Sequence, residues 1–181
     1  ASAPSFEVVA LVTDAPETSR ARELAGKFGI ALVELDIRAF YRARGEDSIR
    51  LTSSRARAIR EEWTAELRRL IAPFRIDFGI LAGFVPLTNL TGDFPCLNVH
   101  PGDLTVTGPD GSRLLAGLHL LPVERAITMG CPALRSSVIL AQSYTGSGAR
   151  EMDSGPLLGI SGPVPVRLEG HDASELAAIR D

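Results

Sequence analysis

The sequence predicts a single α/β domain built on a mainly parallel β-sheet with helices on both faces. Three observations lead there. Apolar runs of strand length alternate with stretches of helical spacing along the chain. Those runs are apolar throughout rather than alternating in polarity, as strands covered on both faces are. The 181 residues also contain no internal repeat or low-complexity linker, so residues 1–181 read as one domain around one core.

Each element follows from local chemistry. Residues 6–12 (FEVVALV) form a β-branched run that reads as a buried strand, ended by the turn Thr13-Asp14-Ala15-Pro16. A helix is predicted over 17–28, with Ala21, Leu24, Ala25 and Phe28 on its inner face and Gly29 stopping it. Residues 30–35 make the next strand, and the polar stretch 36–52 reads as a surface loop. Ser53 or Ser54 caps the clearest helix, in which Ile59, Trp63, Leu67, Leu70 and Ile71 recur at helical spacing before Pro73. Residues 76–81 (IDFGIL) give a third strand and 96–99 a fourth. Asp110-Gly111 marks a hairpin turn, 120–129 a helix, 136–142 a strand, and 157–160 and 164–168 the last extended segments. Asp172-Ala173-Ser174-Glu175 is a capping box opening a final helix.

Charge and composition narrow the partners. The net charge is −3, and the one basic stretch, 50–69, is interleaved with Glu61, Glu62 and Glu66. It reads as a solvated helix face, so no nucleic-acid partner is favoured. No apolar run reaches the roughly 18 to 20 residues that cross a bilayer, so no membrane span is expected. Residues 1–4 (ASAP) lack the features of a signal peptide. Cys96 and Cys131 have no metal-type spacing and read as free thiols, so neither a metal nor a disulfide is expected. Together these features point to the cytoplasm.

Ligands of open α/β sheets bind beyond the carboxyl ends of the strands. Asn98 and His100 stand at one such end, and their i, i+2 spacing puts both on one face while Val99 points the other way, into the core. An amide and an imidazole there could hold a developing oxyanion, or simply form a structural pair. Asp153, before Gly155-Pro156, is of a type that forms turns; it also follows a polar loop, 143–148, able to cover a site. His119 sits where a helix begins, and His171 precedes a cap. Gly146-Ser147-Gly148 lacks the strand-to-helix elbow of a nucleophilic serine, no glycine-rich phosphate loop follows residues 6–12, and Cys96 lies inside an apolar strand.

Three segments occur in a telling order: Leu81-Ala82-Gly83-Phe84-Val85, then Phe94-Pro95-Cys96-Leu97-Asn98-Val99-His100-Pro101, then Met152-Asp153-Ser154-Gly155-Pro156-Leu157-Leu158. Together they resemble the signature of the folate-dependent formyltransferases, a family with members that act on glycinamide ribonucleotide and on methionyl-tRNA. The similarity extends through Gly117-Leu118-His119 and the helix over 122–130. Upstream, residues 8–35 are similar to the family's second strand, second helix and third strand.

The resemblance implies a Rossmann-like fold and a transferase of one-carbon metabolism, with 10-formyltetrahydrofolate as formyl donor and a small-molecule amine as acceptor. It implies that Asn98 and His100 polarise the formyl group, while Asp153 holds His100 in its working protonation state and helps move a proton. It places the folate near Leu81, Gly83, Phe84, Val85, Leu87 and Gln142. A formyltetrahydrofolate hydrolase and a non-catalytic binding relic of the fold are the alternatives.

The chain also departs from the family. The family's first strand and glycine-rich loop precede its equivalent of residues 6–12, so the chain reads as truncated at both ends. An extra polar turn spans 107–113, the loop before Asp153 is long, and Ile139 stands where the purine enzyme carries a histidine. These changes fall where an acceptor would be recognised. The acceptor and the oligomeric state are left open.

Overall fold

A computed structural model of the chain describes residues 6–84, 86–118, 120–145, 153–172 and 175. They gather into two compact units. The first holds residues 6–78, 86–94 and 143–145; the second holds the other described residues.

In the first unit, strand β1 (Ala10–Thr13) pairs in parallel with β2 (Ala31–Glu34). Between them runs helix α1 (Ala21–Phe28), ended by Gly29 at φ 64°, a left-handed conformation that costs glycine little. The strand and helix start later than the sequence predicts, and Phe6, Val8 and Phe28 are exposed rather than inward-facing. The stretch expected as a loop contains a short helix, α2 (Ile37–Arg42). Asp36 caps it by accepting from the Ala39 amide at 2.8 Å, and Ile37 and Tyr41, one turn apart, are both fully buried.

Helix α3 (Ser54–Ile71) is the predicted one, with Ser53 Oγ accepting from the Ala56 amide at 3.0 Å. Ile59, Trp63, Leu67 and Ile71 are buried along one stripe, and the Trp63 indole donates to the Leu35 carbonyl at 3.2 Å. Arg60 lies buried among them and donates to the carbonyls of Leu87 (2.7 Å) and Ile49 (2.6 Å).

The second unit carries a four-stranded sheet in the order β3 (Gly79–Ala82), β4 (Cys96–His100), β6 (Ser137–Leu140), β7 (Leu157–Ile160). β3 and β4 are parallel; β6 and β7 join antiparallel. A small antiparallel pair, β5 (Ala133–Leu134) with β8 (Val164–Pro165), stands apart from that sheet. Helix α4 (Leu121–Thr128) has Pro122 in its first turn, where a missing amide costs nothing.

The predicted Asp110-Gly111 turn is present. Thr107 bridges Arg113, the Gly108 amide donates to the Ser112 carbonyl at 2.8 Å, and Gly111 adopts φ 76°. These features make the chain an α/β, Rossmann-like fold.

Register shows which face of the second sheet is its core. Cys96, His100, Ser137 and Ile139 lie on one face and are all buried. Val99, expected to point into the core, is 43% exposed on the opposite face, beside Ala82 and Val138. The alternation was right and its direction was reversed: Asn98 and His100 occupy the buried side. No helix among the described residues is long and apolar enough to cross a membrane.

Candidate active site

β4 sets the site. Asn98 lies in register between Leu81 of β3 and Ile139 of β6, and His100 lies beside Ser137. Ser137 fastens the chain just beyond the strand, donating to the Gly102 carbonyl at 2.8 Å and accepting from the Leu104 amide at 2.9 Å. Gly102 is required there by space. A Cβ would come within 2.4 Å of the Leu115 carbonyl oxygen, 2.8 Å of Pro122 and 2.9 Å of His100 Nε2.

Asp153, 55 positions beyond Asn98 in the chain, reaches both strand residues. Its Oδ1 accepts from Asn98 Nδ2 at 3.3 Å and lies 3.3 Å from His100 Nδ1. Its Oδ2 accepts from the Gly117 amide at 3.0 Å. The Asp153 backbone is left-handed, at φ 54°, a conformation that Asp tolerates better than most residues. Arg113 Nη1 donates to the carbonyls of Asp153 and of Gly155, the latter at 3.0 Å.

The protonation state of His100 follows from these partners. Nδ1 faces a carboxylate, and Nε2 lies 2.7 Å from the Leu115 carbonyl oxygen. Both can only accept, so the ring satisfies both only when each nitrogen carries a proton. The His100 and Asp153 side chains are 3% and 6% exposed, too buried for water to screen them. Burial pulls the His100 pKa down, but the Asp153 hydrogen bond, the Leu115 carbonyl and the Asp153 charge together outweigh it, against a smaller opposing push from Arg113. The net shift is upward. The arrangement favours a charged imidazolium, clasped by a carboxylate, with the partly exposed Asn98 amide alongside.

The structure thus brings Asn98, His100 and Asp153 together within one unit. The residues expected to hold folate are more scattered. Leu81 adjoins Asn98, Gly83 takes φ 70° just beyond β3, and Phe84 is half-buried. Leu87 belongs to the first unit, where its carbonyl accepts from Arg60. Gln142 is exposed and donates to its neighbour Leu140's carbonyl at 3.2 Å. Val85, His119 and residues 146–152 lie outside the described residues. His171 is exposed, with Nδ1 3.5 Å from Glu175 Oε2.

Sequence reasoning did not find Gly102, Arg113, the Leu115 carbonyl or the Gly117 amide. Arg113 left one usable signal, a cation closing the extra polar turn. Among the described residues no cluster of His, Cys, Asp and Glu could hold a metal ion.

With this geometry in place, the class of fold can be named: it is that of the folate-dependent formyltransferases. The chain is similar to phosphoribosylglycinamide formyltransferase from Bacillus halodurans at TM-score 0.62 and 22% identity, over 96% of this chain and 72% of that one. It is similar to glycinamide ribonucleotide transformylase 1 from Symbiobacterium toebii at TM-score 0.62 and 21% identity, over 94% and 65%. It is also similar to a formyltetrahydrofolate deformylase from Pseudomonas syringae pv. tomato str. DC3000 at TM-score 0.58 and 13% identity, over 96% of this chain and 46% of that one. No protein-family model and no curated protein matches the chain. These neighbours are enzymes, and at such identities the likeness establishes the fold.

Proposed function

We propose that this chain carries the formyl-handling centre of an enzyme that moves a formyl group from 10-formyltetrahydrofolate to a small-molecule amine in the cytoplasm. One observation carries the reading: Asp153 closes on Asn98 and His100 at the end of β4, on the fold of enzymes that act on formyl groups. The donor set suits the reaction. An amine nitrogen attacking the formyl carbon pushes an electron pair onto the formyl oxygen and must shed a proton. The Asn98 amide, and the His100 imidazolium once its Nε2–H turns from the Leu115 carbonyl, would supply hydrogen bonds for that oxygen. Asp153 keeps His100 charged and accepts the amine's proton, which passes to the folate nitrogen as its bond to the formyl carbon breaks. General acid–base transfer of this kind contributes about 100- to 10,000-fold.

Nothing in this reading needs a metal. Leu81, in register with Asn98, supports placing the near side of the folate there, with Gly83 following just beyond β3. The test is an assay with 10-formyltetrahydrofolate and a panel of amines, comparing the unmodified chain with His100→Ala and Asp153→Asn. Both substitutions should abolish most turnover, and equal activity in all three proteins removes the assignment. An arm without amine separates transfer from hydrolysis; the Pseudomonas neighbour is named a formyltetrahydrofolate deformylase.

One observation favours a second reading. His100 Nε2 is already held by the Leu115 carbonyl, so the ring offers no free donor until that bond opens. A binding relic would keep it closed. Calorimetry showing folate binding without turnover would select that reading.

A further inference from the structure

We infer that Arg113 is a positioning residue: it holds the turn at Asp153 so that the carboxylate meets Asn98, His100 and the Gly117 amide together. The inference deepens the proposed function and rests on it for any catalytic consequence. The placement itself is independent of that reading.

Three observations carry it. First, Arg113 is fixed at its own backbone. It closes the hairpin opposite Thr107, and the next residue, Leu114, donates to the Val106 carbonyl at 3.0 Å. Second, one nitrogen of its guanidinium, Nη1, grips two carbonyls of the same turn, those of Asp153 and Gly155. It does not touch the carboxylate, which leaves both Asp153 oxygens for the other three donors. Third, the gripped residue has φ 54°, a left-handed backbone that Asp tolerates better than most residues but still at some cost, which fixed partners on the turn's carbonyls help to offset.

The charge of Arg113 disfavours the His100 imidazolium slightly, so its direct electrostatic action runs against the site. Its contribution is therefore geometric. The polar turn over 107–113, one of the segments in which the sequence departs from the family pattern, is then the strut that carries this arginine to the site.

The two roles have opposite signatures, which makes the test decisive. In Arg113→Ala, a nearby charge that merely opposed the imidazolium would, on removal, let His100 titrate higher. A lost strut lets the carboxylate drift away, burial then dominates, and His100 titrates lower. Ring-nitrogen NMR over pH 4 to 9, with the His100 signal assigned from its absence in His100→Gln, reads the difference without any substrate. A downward shift in Arg113→Ala, with return toward the original midpoint in Arg113→Lys, is expected. An upward or absent shift overturns the inference.

If Arg113→Ala does not fold, Arg113→Met, which keeps most of the side chain's length and removes every donor to the Asp153 and Gly155 carbonyls, carries the test: a lowered His100 midpoint is expected, and an unchanged or raised one overturns the strut. Where formyl transfer is active, kcat in Arg113→Ala should fall by about 100-fold with KM for the folate donor unchanged within about threefold. An inactive starting protein would sink the functional reading and leave the NMR result standing.

Discussion

His100 has a hydrogen-bond acceptor at each ring nitrogen, which is unusual for a buried imidazole and decides its charge. The largest single influence on it is burial, which favours the neutral ring; Asp153 and the Leu115 carbonyl together reverse the sign. Asp153→Asn keeps the shape and removes the charge, so burial should prevail and His100 should titrate below the ordinary histidine value near 6.5. NMR titration of the ring checks this, and an unchanged midpoint would show that the pair is not coupled. Asp153→Ala is harsher. It leaves a buried imidazolium without its partner, and losses of this type run to about 3–5 kcal/mol. At this scale the sequence was partly legible. The i, i+2 spacing put Asn98 and His100 on one face because strand periodicity is rigid. Asp153 could only be matched through family order, since a contact across 55 positions has no local trace, and main-chain partners such as Leu115 and Gly117 have no side-chain signature at all.

Elements were legible where a long stripe or a cap declared them. Ser53 and the Ile59-Trp63-Leu67 stripe made α3 plain, and the reciprocal bonds between Asp172 and Glu175 (2.9 and 2.8 Å) form the predicted capping box. α2 was missed because one buried pair, Ile37 and Tyr41, is too little periodicity to stand out in an arginine-rich stretch. Val99 was oriented wrongly because alternation fixes that faces differ without saying which one is buried. Closeness of backbones also leaves little trace. Gly155 sits so near β6 that a Cβ would fall 1.9 Å from the Leu140 carbonyl oxygen, with backbone on both sides and no flexible tip to yield. Gly155→Ala should therefore push the start of β7 off β6 and cost on the order of 1–3 kcal/mol or more in urea unfolding. Gly159→Ala, within β7 itself, is the control. Its Cβ would meet open space, so its effect should stay within about 0.5 kcal/mol. Equal behaviour of the two alanines would contradict the close approach.

For the whole molecule, the α/β class was the most legible property, because it depends on a repeated pattern rather than on any one contact. The same pattern survives in neighbours at 22% and 13% identity, which is why fold carries across where sequence comparison finds no match. The stability of the folded chain against pH is also a whole-molecule property, and its two limbs have different owners. Glu23, Glu66 and Asp110 are held below their ordinary values by bonds from Arg20, Arg69 and Ser112, so their contribution is present above about 4.5 and fades as pH falls. Glu23 and Asp110 are exposed and Glu66 is partly so, which makes that limb shallow and salt-sensitive. Burial raises Asp14, so the fold prefers it neutral and it penalises folding once ionised. His100 owns the other limb. Its folded pKa is raised, so its contribution is complete below about 6.5 and is lost as pH rises through the folded value. Urea midpoints measured from pH 4 to 9 should accordingly decline above about 6.5. Asp153→Asn should flatten that decline, whereas Asp14→Asn should raise the midpoint near neutral pH and leave the decline in place. A profile that stays level from 6.5 to 9 in the unmodified chain would mean that the imidazolium clasp contributes nothing to folding, and His100 would then lose its claim to a charged role in the site.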